Sequence, residues 1–278
     1  MLKKPIFRGR RILRQNEADK SRQISNISKE FLEDMNKVNS QIKTDIVDIN
    51  IFLQQWRYIK NESLKSEIPE IKFNVDFNFY HYGDKSNQKV LVVFPGFSTQ
   101  SLQYTIGRIN NLKDIILAKG FSDIYIFDYK TIDKVPINLK NIYNIPFELT
   151  CRIFSNHIKK ILEKFTNLSL LGTSAGAGLA IQVGFDIKQT KGLYITCPGF
   201  ETMDVVKSIK ENPDKKNLPI RMSWSKEDQK INISEGYKLE NIFKKYKINN
   251  FKFLKLSSGK KEDVYNHRIH PEIINILI

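Results

Sequence analysis

Residues 168–181 read LSLLGTSAGAGLAI, a short apolar run that breaks into G-x-S-x-G and resumes as small, helix-forming residues. This pattern predicts a buried strand, a sharp turn and a helix, with Ser174 on the turn. Gly172 and Gly176 have no Cβ to clash where the strand and helix backbones approach each other closely. We therefore expect the serine oxygen to project from the sheet edge. The N–H of Ala175, at the helix N-terminus, would face the same space.

A second interpretation of this stretch stays open. Gly172, Gly176 and Gly178 also fit the G-x-x-x-G-x-G spacing of a dinucleotide-binding turn, in which backbone N–H groups meet a pyrophosphate. Such turns normally follow the first strand of a domain, whereas this one lies past the middle of the chain. No Tyr-x-x-x-Lys pair occurs after it. The chain position therefore favours a serine nucleophile over a nucleotide site.

The length and composition are typical of a globular protein that folds without disulfide bonds or structural metals. A chain of 278 residues is long enough for one large α/β domain with an appendage. Its two cysteines, Cys151 and Cys197, cannot build a disulfide framework, and they show no metal-ligand spacing with the four histidines. No apolar run approaches the length of a membrane span, and the start of the chain lacks a signal-peptide core. We expect an intracellular protein in a reducing compartment, most simply the cytoplasm.

The formal net charge of +15 raises the question of an anionic partner. Most lysines are spread through the chain, but six basic residues precede the first acidic residue, Glu17. Residues 1–23 are therefore predicted to form a flexible basic arm that can meet an anionic membrane surface or a nucleic acid. An arginine-rich, initially acid-free arm also resembles a mitochondrial presequence, so mitochondrial targeting stays open.

The segment after the arm has a helical pattern. Between Ile24 and Trp56 the apolar residues recur at gaps of three or four, which predicts one long amphipathic helix or two in series. Its apolar stripe is expected to pack on the main domain. A polar connector, 61–70, follows, so residues 24–70 form an N-terminal helical extension in this interpretation.

From residue 71 onward the pattern alternates between strands and helices. Alternation over 71–80 predicts a half-exposed antiparallel edge strand, and the continuous apolar run Val90–Phe94 predicts a central parallel strand. Residues 147–165 carry a helical stripe. Further strands are predicted at 123–127, 193–197, 219–224 and 251–256. This order predicts an α/β fold with a doubly wound, mostly parallel sheet.

The region from about residue 71 to residue 278, with its predicted turn at Ser174, resembles the α/β-hydrolase superfamily. The run Val92–Phe97 is similar to the strand end at which that family places its second oxyanion donor, which here would be the N–H of Phe97. The family's usual histidine in this motif is Pro95 in this chain. The resemblance implies that residues 71–278 form the catalytic domain, with the N–H groups of Phe97 and Ala175 as the oxyanion hole.

The resemblance also implies an acid and a base after the nucleophile, in the chain order Ser, acid, His. Asp228, in the loop after a predicted strand, falls at the family's acid position, with Glu227 beside it. Glu201 occupies a place that some members use instead. For the base, His267 is preferred because His270 precedes Pro271 and is expected at a helix N-cap. His270 remains the alternative.

The implied function is a serine hydrolase that acts on a carboxylic ester or related acyl substrate through an acyl-enzyme, with no metal or organic cofactor. The segment between Glu201 and Leu218 is too short for a large lid, which favours a fairly open site and a small ester or acyl chain. Two alternatives are a non-catalytic binding or scaffold protein on the same fold and a dinucleotide-binding α/β protein.

Overall fold

The computed structural model describes residues 45–48, 72–96, 99–131, 155, 158–200, 202–260 and 266–278. In this part of the chain the strands are β1 (Asp45–Asp48), β2 (Lys72–Gly83), β3 (Val90–Phe94), β4 (Asp123–Thr131), β5 (Leu168–Thr173), β6 (Thr190–Thr196), β7 (Ile220–Ser225) and β8 (Phe251–Leu256). The helices are α1 (Thr99–Ala118), α2 (Ala175–Asp186), α3 (Thr202–Glu211), α4 (Ile233–Lys245) and α5 (Pro271–Asn275). Residues 158–162 are also helical, and Pro213–Asn217 form a 3-10 turn.

These strands form one sheet in the order β1-β2-β4-β3-β5-β6-β7-β8. β2 runs antiparallel to both of its neighbours, and every pair from β4 to β8 is parallel. The chain winds from β3 outward to β4 and then returns to add β5 on the other side. The expected doubly wound, mostly parallel α/β fold is confirmed. Ligands of such sheets bind outside the carboxyl ends of the strands where the winding reverses, which here is the β3/β5 edge.

The core lies around the central strands. Every side chain of β3 and β5 is buried, as expected for parallel strands whose two faces are both covered. α2 is buried from Ala175 to Phe185, because its glycines and alanines let it lie directly against the sheet. The carboxyl ends of β3 and β5 thus lie in the close-packed core of the described residues.

The predicted N-terminal helix needs a correction where the structure describes it. Residues 45–48 lie inside the helical pattern, yet they form β1 and pair antiparallel with Lys72–Val75 of β2. Ile46 and Val47 are β-branched and favour a strand when a partner edge is available. The periodicity could not indicate that partner. The rest of 24–70 and the arm at 1–23 lie outside the described residues.

The strand predicted over 71–80 is antiparallel, as expected, but it is not an edge strand along its whole length. β1 covers the outer side of its first four residues. Its apolar face packs inward: Phe79 is buried, and its ring centroid lies 4.3 Å from that of Phe127 on β4. Alternation alone could not separate an outermost strand from one with a short neighbour.

Among the described residues, no helix is both long enough and apolar enough to cross a membrane.

Candidate active site

Ser174 lies between β5 and α2 with φ 53° and ψ −125°. Few residues other than glycine adopt such angles, so this backbone is strained and must be held by its surroundings. The Ser174 N–H donates to the carbonyl of Thr196 at 3.0 Å, and its carbonyl accepts from the N–H of Gly199 at 2.9 Å. Thr196 is the last residue of the neighbouring strand β6, and Gly199 follows that strand. The serine is therefore fixed at the tip of the turn by backbone bonds.

The glycines on either side of Ser174 are required by close backbone contacts. A Cβ placed on Gly172 would lie 2.4 Å from the carbonyl oxygen of Gly176. One placed on Gly176 would lie 2.2 Å from the carbonyl oxygen of Phe94, at the end of β3. Real Cβ atoms do not approach backbone this closely, so both positions need glycine. The strand–turn–helix predicted from the sequence is confirmed.

The end of β3 lies against the serine, as an oxyanion donor would require. A Cβ on Gly96 would lie 3.5 Å from the Cβ of Ser174. The next residue, Phe97, lies outside the described residues. Ala175 is buried as the first residue of α2, where an N–H has no acceptor within its own helix. Its N–H can therefore serve a ligand at the turn.

Asp228 and His267 form a hydrogen-bonded pair. Asp228 follows β7, and its Oδ2 lies 2.8 Å from Nδ1 of His267, with both side chains nearly buried. The other oxygen accepts from the N–H groups of Lys230 and Ile231 at 2.9 and 3.1 Å. Burial alone would raise the pKa of this carboxyl group, but these hydrogen bonds, His267 first among them, outweigh burial and lower it. Asp228 therefore stays ionised at neutral pH.

Glu227, the neighbour of Asp228, is not part of this pair. Its carboxylate accepts from the hydroxyl of Ser257, the hydroxyl of Ser225 at 2.8 Å and the N–H of Ser258 at 3.2 Å. The bond from Ser257 is the main cause that lowers the pKa of Glu227. Glu201 lies outside the described residues.

His270 occupies the predicted N-cap of α5, although its side chain makes no capping hydrogen bond. It is 3% exposed, and both ring nitrogens have partners. Nε2 lies 3.0 Å from the carbonyl of Asn266, and Nδ1 lies 2.9 Å from the hydroxyl of Ser223. Since a carbonyl only accepts, Nε2 carries the proton and Nδ1 accepts from Ser223. Burial lowers the pKa of this neutral imidazole to about 4.

Sequence reasoning missed Cys197, which directly follows β6. Its Sγ, one donor atom of Asp228 and one of His267 all lie within 4.8 Å of one another. The preceding residue, Thr196, is the one that binds the Ser174 N–H. Cys197 thus connects the serine turn to the acid–histidine pair across the sheet edge. The signal for it was its place at the carboxyl end of a parallel strand, where site residues gather.

Thiol, imidazole and carboxylate are also the donors that zinc prefers. In the part of the chain that the structure describes, Cys197, Asp228 and His267 are the only group compact enough to hold an ion. However, Asp228 and His267 already satisfy each other. Burial, and then the charge of Asp228, raise the pKa of the Cys197 thiol well above its usual value, which keeps it protonated. The hydrogen bond between Asp228 and His267 fits a proton-handling pair.

No protein-family model matches the chain, and no curated protein is significantly similar to it in sequence. Similar solved structures include esterase 2 of Thermogutta terrifontis phosphorylated by paraoxon, at 12% identity over 84% of this chain and 91% of that one, with a TM-score of 0.49. An α-β serine hydrolase homologue from Coxiella burnetii matches at 10% identity over 73% and 88%, with a TM-score of 0.48. An acetyl ester-xyloside bifunctional hydrolase from Caldicellulosiruptor lactoaceticus matches at 13% identity over 79% and 88%, with a TM-score of 0.44. At these identities the likeness concerns the fold alone.

Proposed function

We propose that this chain, which adopts an α/β-hydrolase fold, is a serine hydrolase acting on a carboxylic ester or related acyl substrate. The observation that carries the proposal is the Asp228–His267 hydrogen bond of 2.8 Å, at the sheet edge where Ser174 occupies its strained turn. A nucleophile, a base and an orienting acid are what acyl transfer requires. They follow three different strands of one sheet, in the chain order expected for this fold.

The tautomer of His267 supports its role as the base. An ionised carboxylate only accepts hydrogen bonds, so the bond to Asp228 places the imidazole proton on Nδ1. Nε2 then keeps the lone pair that a general base needs. His270 has the opposite tautomer, and both of its nitrogens are bound within the protein. We therefore assign the base to His267.

In the proposed reaction, Nε2 of His267 takes the proton of the Ser174 hydroxyl as its oxygen attacks the substrate carbonyl. The N–H groups of Ala175 and Phe97 stabilise the resulting oxyanion. The imidazolium, held by Asp228, returns the proton to the departing alcohol and leaves an acyl-serine. Water activated by the same imidazole then releases the acid and restores the serine.

The size of the substrate is inferred from the segment after β6. Within the described residues, 202–217 are occupied by the 10-residue helix α3 and the 3-10 turn, and no separate lid domain lies there. A small ester or acyl chain is therefore the preferred substrate class. The proposed activity is therefore the hydrolysis of a carboxylic ester.

The test is a comparison of wild type with Ser174→Ala, using a fluorophosphonate probe and p-nitrophenyl esters of two to eight acyl carbons. Wild type should be labelled and should turn over the short esters, and Ser174→Ala should do neither. Ser86→Ala is the control, since Ser86 is exposed in the turn between β2 and β3. A fully active Ser174→Ala variant would show the proposal to be wrong.

An unlabelled, inactive wild type would also contradict the proposal. In that case, micromolar binding of NAD or NADP would support the dinucleotide alternative. If neither cofactor bound, a non-catalytic scaffold role would remain.

A further inference from the structure

Asn266 directly precedes His267 and is fully buried. Its Oδ1 lies 2.8 Å from the hydroxyl of Ser225, at the end of β7, and accepts from the hydroxyl of Ser258 at 2.7 Å. Its Nδ2 donates to the carbonyl of Lys260 at 2.7 Å. Since that carbonyl can only accept, the orientation of the amide is fixed. The side chain thus joins the segment after β8 to the end of β7.

The main-chain carbonyl of Asn266 is held as well. It accepts from the thiol of Cys197 at 3.3 Å and from Nε2 of His270 at 3.0 Å. Those two groups belong to the end of β6 and to the N-cap of α5, so they approach the carbonyl from different elements. The residue before the base is therefore fixed through both its side chain and its backbone.

Glu227 extends the same network. Its Oε2 lies 2.8 Å from the Ser225 hydroxyl, which has a single proton to share between Glu227 and Asn266. In return, the N–H of Glu227 donates to the Ser225 oxygen at 3.2 Å. Glu227 thus helps to hold Ser225, which in turn contacts Asn266.

We infer that Asn266 is a positioning residue, which holds the chain at His267 so that its Nδ1 stays on Asp228 and its Nε2 is directed toward the serine turn. The imidazole has one hydrogen bond to Asp228 to orient it, and a misplacement of about 1 Å costs on the order of 100-fold in rate. The effect of Asn266 on turnover rests on the proposed function. Its effect on the Asp228–His267 hydrogen bond does not.

The first readout is the downfield imidazole proton of His267 in proton NMR, assigned with His267→Ala. Asn266→Ala should broaden or shift this resonance, because the His267 ring would move more freely and its hydrogen bond to Asp228 would be weaker. His81 is the internal standard: its Nε2 lies 2.6 Å from Oδ1 of Asp123, at the other end of the sheet. The His81 resonance should stay unchanged in the variant.

The second readout is turnover of a short ester. Asn266→Ala should lower kcat by about 10- to 100-fold with KM within about 2-fold, as is usual when a group supporting a reactive residue is lost. Asn212→Ala is the control, because this asparagine also makes side-chain hydrogen bonds, from its Nδ2 to Asp186 and to the carbonyl of Ser208, away from the site. It should leave kcat unchanged.

If Asn266→Ala does not fold, Ser258→Ala decides the question, since Ser258 is exposed and its loss removes one bond to Asn266. It should lower kcat by about 5-fold and broaden the His267 resonance. An unchanged resonance together with an unchanged kcat would overturn the inference. If wild type has no turnover, the proposed function fails, and the resonance alone decides the role of Asn266.

Discussion

Asp228 and His267 are 39 positions apart in the chain, and an oxygen of one lies 2.8 Å from Nδ1 of the other. The two residues follow β7 and β8, which are adjacent parallel strands with paired residues from Ile220 and Phe251 to Ser225 and Leu256. Parallel neighbours bring their carboxyl ends to one edge, so the loops that follow them must meet. The acid–histidine contact is a consequence of strand order.

The backbone angles of Ser174 predict a conflict between stability and function. Ser174→Gly should raise the free energy of unfolding by about 1 kcal/mol, because glycine adopts the positive φ of 53° without strain. The same variant should have no ester turnover. Urea denaturation measures the first effect, with Ser174→Ala as the control, which keeps a Cβ and should leave stability nearly unchanged. A less stable glycine variant would contradict this account of the turn.

Two glycine-to-alanine variants should change stability in opposite directions. Gly176→Ala should lower the free energy of unfolding by about 3 kcal/mol or prevent folding, since its Cβ would lie 2.2 Å from a backbone oxygen. Gly107→Ala, in α1 with nothing within 4 Å of the added Cβ, should raise it by about 0.5–1 kcal/mol. Thermal melting of both variants tests the contrast. Equal destabilisation would argue against the close approach of β3 and α2.

Substitutions of the two histidines near the C-terminus should have different effects, one on activity and the other on stability. His267→Ala should lower kcat on a short ester by at least about 1,000-fold with little change in melting temperature. His270→Ala leaves the Ser223 hydroxyl and the Asn266 carbonyl without their partner, and should cost about 2–4 kcal/mol of stability. Turnover by its folded fraction should fall by less than about 10-fold. The reverse pattern would move the base to His270.

His270 also predicts a pH dependence of stability. Its pKa is about 4 in the fold against 6.5 for the ordinary side chain, so the unfolded chain binds a proton more readily. The free energy of unfolding should be highest above pH 6.5 and should fall by up to about 3 kcal/mol as the pH drops to 4. His270→Gln should lose most of this slope in urea titrations between those pH values. An equally steep slope in the variant would assign it to other groups.

The basic arm should matter for attachment and not for chemistry. Deletion of residues 1–23 should leave turnover of a neutral ester intact, because that segment has no apolar periodicity with which to dock on a core. We expect the full chain to bind vesicles that contain phosphatidylserine more tightly than the shortened chain does, with a difference that shrinks as salt rises. Vesicle sedimentation measures the binding. Loss of turnover on deletion would place the arm at the active site.

The parts of the fold that the sequence predicted are those with a local signal. β3 has the predicted bounds Val90–Phe94 and β8 the predicted bounds 251–256, because a continuous or half-buried apolar run is visible in the chain itself. The serine turn was also predictable, since the whole G-x-S-x-G pattern lies within one strand–turn–helix unit of the chain. β1 was not predictable, because it forms a strand by pairing with β2, which is distant in the sequence.

The candidate site was predictable to the same extent. The positions of Asp228 and His267 could be predicted because each follows a predicted strand. The supporting groups could not, since Asn266 acquires its role from Ser225 and Cys197, which are 41 and 69 positions away. Nothing near an asparagine in the chain indicates that hydroxyl and thiol groups from other strands will surround it.

The backbone bonds of Ser174 to Thr196 and Gly199 give the two halves of the site different resistance to local opening. The nucleophile cannot leave its place unless β5 and β6 separate, and a rupture of the central sheet is global unfolding. Two of the hydrogen bonds that support the base, those of Asn266 to Ser258 and Lys260, end at residues that are open to solvent. Slow exchange of the Ser174 amide with solvent deuterium would therefore report the stability of the whole domain, while activity would be lost earlier, through a small opening at the base.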